Sequence, residues 1–104
     1  MNVWNTILTK SATQQLDYAI FVLETLSDPV SIPILEYLQE HQSATLLDLT
    51  VHTGFDSLTL ENQLEALCAT KAVWLDTDIY RNLYCIDEDR LQQVSRIAKL
   101  LVNA

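Results

Sequence analysis

Residues 54–67 read GFDSLTLENQLEAL, and this stretch decides the fold. Asp56 is a residue type that caps helices, and the leucines after it recur at positions 60, 64 and 67. This i, i+4, i+7 spacing places the three leucines on one helical face. Phe55 and Leu60 stand at the two positions of a hydrophobic staple, which fixes how the chain enters the helix. The stretch predicts a capped helix over about 57–70 with one buried face.

A shorter helix is predicted immediately upstream, over about 45–53. Thr45 and Asp48 have the spacing of a capping box, which marks a helix start. Gly54 is the only glycine in the chain and suits a left-handed cap at the end of this helix. Two helices joined by a tight glycine turn are the layout of a helix-turn-helix, whose second helix lies in the major groove of DNA.

Composition indicates one globular domain over residues 1–104, because the chain has 104 residues and 49% of them are hydrophobic. The net charge is −8 and the pI about 4.4, which disfavours strong non-specific binding to nucleic acid. The longest apolar run, 19–23, is too short to cross a bilayer, and the N-terminus lacks the features of a signal peptide. We therefore expect a cytoplasmic protein without a membrane partner. Cys68 and Cys85 are expected to be thiols, and a redox role for them stays open.

Three further helices are predicted from capping signals and apolar patterns. A capping box at 11–14 opens a helix over about 13–26, after a lead-in at 1–10 that has no clear period. Asp28 and Pro29 open a helix over about 29–41. Pro33 lies inside that pattern, so either the helix starts near Ser31 or its first turns are kinked. Three acidic residues from Asp87 then favour the start of a last helix over about 88–102.

Two strands rich in β-branched and aromatic residues, at about 73–77 and 83–86, form a hairpin between the last two helices. The order α-α-α-α-β-β-α predicts a mainly helical winged helix-turn-helix with an extra helix at each end. Both extra helices carry an apolar surface wider than one packed face needs, so a second subunit should cover them. The predicted dimer interface comprises Leu16, Ile20, Leu23, Leu91, Val94, Ala98 and Leu101.

From about residue 14 to residue 102 the chain resembles the ArsR-type winged-helix family of bacterial transcription regulators. Residues 26–35, which read LSDPVSIPIL, resemble the family's "L-a-D-p-t-R-l-r-I-L" opening. The stretch from Leu46 to Gly54 resembles its "v-x-e-L-a-x-x-l-G" helix, and 72–86 fits its strand-wing-strand. The resemblance implies a homodimer, paired through the first and last helices, that binds operator DNA.

The chain departs from that family at the helix that reads DNA. Glu61 and Asn62 stand where Ser-Arg is usual, and Gln63 replaces a His. Residues 56–70 carry three acidic residues and no basic one, while the wing holds Asp76 and Asp78 against Arg81. Phosphate contacts from Arg and Lys supply most non-specific affinity, so the local charge opposes DNA binding.

The candidate DNA-contacting residues are Ser57, Thr59, Asn62, Gln63 and Arg81. Asn and Gln side chains can pair with adenine through two hydrogen bonds, although they are also ordinary residues of a helix surface. Thr59 can donate to a phosphate or simply occupy the first helical turn. A second hypothesis is a degenerate winged helix that no longer binds DNA and docks a protein partner on its acidic 58–65 face, or serves as a dimerisation module.

The sequence predicts no enzyme, no cofactor and no metal site. It contains no Gly-rich phosphate loop and no nucleophile–base pair at a meaningful spacing. Many members of the family sense metals through a Cys-x-Cys before the turn, and the matching positions here are Thr45 and Leu47. Asp48 and His52 lie one helical turn apart and are better explained as surface residues than as metal ligands.

Overall fold

The computed structural model describes the backbone of residues 3–78 and 80–103, and the side chains of residues 14–78, 80–97, 99 and 100. Across this part of the chain, five helices and three strands succeed one another. Their bounds are α1 Val3–Ser27, α2 Ser31–His41, β1 Ser43–Ala44, α3 Leu46–Thr53, α4 Ser57–Ala69, β2 Val73–Thr77, β3 Asn82–Ile86 and α5 Glu88–Asn103. The mainly helical winged helix-turn-helix that the sequence predicts is confirmed.

The helix-turn-helix is built from the local signals that the sequence shows. Thr45 and Asp48 form a complete capping box, with the Asp48 N–H donating to Thr45 Oγ1 at 3.1 Å and the Thr45 N–H donating to Asp48 Oδ2 at 3.0 Å. Gly54 ends α3 with a φ of 78° and donates its N–H to the Thr50 carbonyl at 3.0 Å. A side chain at this φ would be strained, which explains the glycine.

One core unites the helix-turn-helix with the sheet. Leu60, Leu64 and Leu67 of α4 are fully buried. They belong to a cluster whose other buried members are Ile34, Leu35, Leu38, Ala44, Leu49, Val73 and Ile86, drawn from α2, α3 and all three strands. Burial of apolar area is the dominant stabilising term in folding, so α4 is anchored by its inner face and presents its outer face to solvent.

The sheet contains a strand that the sequence did not predict. Its order is β1-β3-β2 and both pairings are antiparallel. In β1, Ser43 pairs with Cys85 and Ala44 with Tyr84. Two residues are too few to show the alternation that marks a strand, and β1 exists because β3 pairs with it. In this order, β2 is an edge strand with one side free of strand partners.

Helix α1 begins at Val3, so the predicted lead-in at 1–10 and the predicted start at 13 are wrong. Residues 3–12 contain neither glycine nor proline, and nothing in their backbone chemistry stops a helix there. A capping-box pattern permits a helix start without enforcing one. The helix in fact continues through the capping pattern at 11–14.

Helix α2 begins at Ser31, two residues after the predicted start at Pro29. Asp28 still organises the entry, since its Oδ1 accepts from the Val30 N–H at 2.8 Å and its carbonyl from the Ser31 N–H at 2.9 Å. Pro33 is then the third helical residue, in the turn whose N–H groups have no intrahelical partner. Of the two alternatives left open by the sequence, the start near Ser31 is the one observed.

No single helix within the described residues is long and apolar enough to cross a membrane. The segments Gln14–Ser27 and Ser31–His41 reach the necessary length and composition only when they are taken together, and they meet at 79°.

The buried face of α4 predicts a large difference between two leucines of that helix. We expect Leu64→Ala to lower the free energy of unfolding by about 2–5 kcal/mol, because it leaves a cavity in the core. Leu58→Ala is the matched control, and since Leu58 is exposed its cost should be about 0.5 kcal/mol or less. Urea denaturation at one protein concentration measures both, and equal losses would contradict the assigned orientation of α4.

Candidate nucleic-acid interface

The outer face of α4 is exposed and acidic. Ser57, Leu58, Glu61, Asn62 and Glu65 are all solvent-exposed. From residue 46 to residue 86, which spans α3, α4 and the wing, six acidic residues stand against two basic ones, a net charge of −4. The two basic residues are Lys71, just after α4, and Arg81 in the wing. The face that a winged helix presents to DNA therefore has a negative charge.

The N-terminus of α4 is occupied by the chain's own carboxylate. Asp56 is the N-cap, and its Oδ1 accepts the Thr59 N–H at 2.8 Å. The Thr59 hydroxyl donates to Asp56 Oδ2 at 3.1 Å. Both hydrogen bonds hold the pKa of the Asp56 carboxyl below its ordinary value of 3.8, and the bond from the Thr59 N–H has the larger effect. A helix N-terminus is a natural site for a phosphate, but here a charged carboxylate already occupies it and uses the Thr59 hydroxyl.

Gln63 points into the protein. Its Nε2 donates to Ser31 Oγ at 2.6 Å, and Ser31, at the start of α2, is fully buried. Asn62, the neighbouring residue, is exposed. The sequence analysis grouped the two amides as outward residues, but Gln63 lies three residues from Leu60 and four from Leu67, on the edge of the buried face. That spacing was the available signal, and it assigns Gln63 to the α2–α4 contact.

Arg81 lies at the tip of the wing, where the backbone turns tightly. The Asp78 N–H donates to the Arg81 carbonyl at 3.1 Å, and the Tyr80 N–H donates to Asp78 Oδ1 at 2.6 Å. The Arg81 side chain is exposed, and its charge acts on Asp48 of α3. The pKa of Asp48 lies below 3.8, first because of the Thr45 backbone hydrogen bond and to a smaller extent because of nearby positive charge that includes Arg81. The Arg81 side chain is therefore accessible to a ligand, and its charge also interacts with the carboxylate of Asp48.

The two cysteines are half-buried free thiols. Burial raises the pKa of both Cys68 and Cys85 above the ordinary value of 9.0, although Lys71 partly offsets the effect at Cys68. A raised pKa keeps a thiol protonated at neutral pH, and the thiolate is the reactive form. Among the residues described here, no group of three or more His, Cys, Asp or Glu side chains is placed to hold a metal ion.

Between residues 14 and 27, helix α1 has two apolar faces, and the described part of the chain covers only one of them. Ala19 and Val22 are buried, whereas Leu16, Ile20 and Leu23 are 37–48% exposed. The exposed residues recur at i, i+4 and i+7 and form a continuous stripe. The stripe carries three of the seven residues that the sequence assigned to a dimer interface.

On α5, the predicted dimer-interface residues whose side chains are described are covered rather than exposed. Val94 is only 2% exposed and Leu91 packs against the core, so their own chain covers both of them. Ala98 and Leu101 lie outside the described side chains. Among the side chains of α5 that the structure describes, the exposed large apolar ones are instead Ile97 and Leu100, at 52% and 71%. The helical pattern shows which residues are apolar, but only the packing against α1 shows which side is already covered.

A polar junction that the sequence analysis missed ties α1 and α5 to the end of α4. Tyr18 Oη donates to the Thr70 carbonyl at 3.3 Å, and Arg90 Nε donates to the same oxygen at 3.4 Å. Arg90 Nη2 also donates to Tyr18 Oη at 3.3 Å. The three residues lie 20 to 72 positions apart, so no local pattern could reveal the contact. One of the six basic residues is thereby committed to holding the terminal helices together.

Comparison with solved structures identifies the class of this fold. The chain aligns with the homodimeric winged helix-turn-helix DNA-binding domain of Mb0332 from Mycobacterium bovis, a possible ArsR-family transcriptional regulator, at TM-score 0.69 and 21% identity over 88% of this chain and 83% of that one. It aligns with the transcriptional repressor BigR from Xylella fastidiosa at TM-score 0.63 and 22% identity, covering 88% and 94% of the two chains. It aligns with the transcriptional repressor PagR of Bacillus anthracis at TM-score 0.64 and 19% identity, covering 86% of this chain and 98% of that one.

The chain thus has the winged-helix fold of ArsR-type regulators, as its sequence predicts. At these identities the likeness establishes the fold alone. No protein-family model matches the sequence, and no curated protein matches it significantly.

The different orientations of two adjacent amides lead to a prediction. Gln63→Ala should lower the free energy of unfolding by about 1–3 kcal/mol, because the buried Ser31 hydroxyl loses a partner. Asn62→Ala, one position away on the exposed side, should change it by no more than about 0.5 kcal/mol. Thermal and urea denaturation followed by circular dichroism test the pair. A larger loss in Asn62→Ala would reverse the assignment of the two side chains.

Proposed function

We propose that this protein is a homodimeric transcription regulator of the ArsR type that binds duplex DNA through α4 and the wing. The observation that carries the proposal is the shared architecture, which covers 86–88% of this chain in the three comparisons. Two of those proteins are transcriptional repressors, and the third is a homodimeric DNA-binding domain.

The dimer is supported by apolar faces that the single chain leaves open. Helices α1 and α5 pack against each other, and each keeps exposed apolar side chains: Leu16, Ile20 and Leu23 on α1, and Ile97 and Leu100 on α5. Contiguous exposed apolar surface of this kind marks interaction sites on soluble proteins. Pairing two copies through these helices would cover both faces and place two α4 helices in one assembly, as two half-sites of an operator require.

The DNA contact we propose uses Ser57 and Asn62 of α4 and Arg81 of the wing. All three side chains are exposed, and Asn62 can pair with adenine through two hydrogen bonds. Thr59 contributes less than its sequence position indicates, since its hydroxyl donates to Asp56. Gln63 is removed from the contact set because it bonds Ser31.

The negative charge on the outer face of α4 limits the affinity for DNA. At an effective dielectric constant of ~20, a carboxylate ~4 Å from a phosphate costs roughly 4 kcal/mol before screening by salt. Three carboxylates, those of Asp56, Glu61 and Glu65, lie on or next to the exposed side of α4. Other contacts to DNA must offset the repulsion between each carboxylate and the phosphates. We therefore propose weak DNA binding that depends on base contacts more than on phosphate contacts.

A second candidate function is docking of a protein partner by a winged helix that no longer binds DNA. It is favoured by apolar side chains on the face where DNA would lie. Leu58 is 66% exposed at the start of α4, and Leu47 and Val51 on α3 are still more exposed. Leucine and valine side chains contribute little to contact with a phosphate backbone but much to a protein interface.

Dimerisation predicts the behaviour of a charge substitution on α1. Leu16→Asp should weaken self-association by about tenfold or more, because a carboxylate would be buried in an apolar seam. Ile32→Asp is the matched control, since Ile32 on α2 is comparably exposed but lies outside the proposed seam. Sedimentation velocity at micromolar concentration measures both variants. A wild-type protein that sediments as a monomer would contradict the proposed dimer.

DNA binding predicts a specific effect of the wing arginine. In a fluorescence-anisotropy titration at low salt, with the duplex promoter of the protein's own operon, Arg81→Ala should weaken binding and reduce the slope of log Kobs against log salt by about 1, the loss of one phosphate contact. Arg96→Ala removes an equal charge from α5, away from α4 and the wing, and should leave the slope unchanged. The proposal fails if wild-type protein does not bind at tens of micromolar.

A further inference from the structure

A groove lies between α4 and the wing. Its volume is about 620 Å³. Glu61, Glu65 and Cys68 of α4 form one wall, and Val73, Trp74 and Leu75 of β2 lie opposite, with Tyr84, Lys71 and Asp87 completing the lining. Neither the proposed DNA contact at Asn62 and Arg81 nor the proposed dimer face uses this groove.

The groove lies over the α4-facing side of β2 and reaches the edge of that strand. Successive residues of a strand point to opposite faces of the sheet, and the alternate residues Val73 and Leu75, with Tyr84 paired to Leu75, line the groove from one face. Trp74, between them, also lines it, which indicates that the groove extends to the edge of β2. Because β2 is the edge strand of the β1-β3-β2 sheet, the backbone beside the groove has no strand partner. Such an edge is a template for an additional strand unless charged side chains, proline or a covering element block it, and residues 73–77 contain no proline and one charged residue, Asp76.

The chemistry of the two walls defines what fits between them. The β2 side is apolar. Trp74 and Leu75 are exposed, and Tyr84 of β3 pairs with Leu75. The α4 side is acidic, and the whole lining contains three acidic residues against one lysine. Tyr84 lies near both Glu61 and Cys68, whose charges add to the effect of burial in raising its pKa. The groove therefore combines an apolar floor with a negative rim.

The spacing of the acidic residues matches an extended chain. Glu61 and Glu65 are one helical turn apart, which separates their Cβ atoms by about 6 Å. In a strand, residues i and i+2 lie on the same side and are separated by about 6.6–6.8 Å. Two basic side chains at alternate positions of one strand could each face one of these glutamates, while the intervening side chains point to the opposite face of the sheet, beside Trp74.

We propose that this groove binds an extended, basic segment of a partner protein, which adds to the edge of β2 as a fourth strand. Main-chain hydrogen bonds to β2 supply affinity, and alternating basic and apolar side chains supply specificity. Glu61 and Glu65 receive the basic side chains, and Trp74, on the opposite face of the sheet, receives the apolar ones. The groove is distinct from the exposed surface of Leu47, Val51 and Leu58, and binding there does not depend on DNA binding.

The test uses a fluorescein-labelled octapeptide of alternating lysine and valine, titrated with the full chain and followed by anisotropy. We expect saturable binding, and we expect an octapeptide of alternating glutamate and valine not to bind. Glu61→Gln combined with Glu65→Gln should weaken binding about fivefold, the loss expected for two exposed charge pairs. Circular dichroism confirms that the double variant is folded.

Two controls separate the groove from general attraction to an acidic protein. Glu36→Gln combined with Glu40→Gln removes the same charge from exposed positions of α2, outside the groove, and should change the affinity less than about twofold. An octapeptide N-methylated at every residue keeps its side-chain charge but has no main-chain N–H to donate to the edge of β2, and it should bind wild-type protein more weakly. The proposal is overturned by non-saturable binding, by equal losses in the two double variants, or by equal binding of the methylated peptide.

Discussion

The structure depends on the burial of one face of α4. Leu60, Leu64 and Leu67 are completely enclosed by α2, α3 and the sheet. Their burial fixes the rotation of the helix about its axis, and that rotation decides the surroundings of every other residue on it. Gln63 turns inward to Ser31, while Leu58, Glu61 and Glu65 turn outward. The acidic character of the outer face is thus a direct consequence of how the inner face packs.

Helix stability and DNA binding place opposite demands on the start of α4. A carboxylate at the N-terminus satisfies free N–H groups and interacts favourably with the helix dipole. Asp56 does both, and Thr59 reinforces it with its backbone and its hydroxyl. A helix that reads DNA benefits from leaving the same position open to a phosphate. In this chain the position serves the stability of the helix, and base contacts from Asn62 must carry more of any recognition.

The terminal helix α1 likewise has one side packed against its own chain and another side exposed to solvent. Tyr18 and Arg90 converge on the Thr70 carbonyl and bring α1 and α5 together at the end of α4. Ala19 and Val94 are buried in the described chain. The apolar residues on the opposite side of α1 remain exposed, at a place where a second copy can cover them. An apolar surface on more than one side is typical of a helix that is buried on more than one side.

The sequence by itself determined the local features of the fold. The leucine spacing of 60, 64 and 67, the Thr45–Asp48 capping box, the left-handed Gly54 and the two wing strands depend on contacts within a few residues, so pattern and propensity suffice to predict them. Only the tertiary structure decided the rest. It added β1 through pairing with β3, covered Leu91 and Val94 and turned Gln63 inward. These outcomes depend on residues far apart in the chain, whose meeting no local pattern encodes.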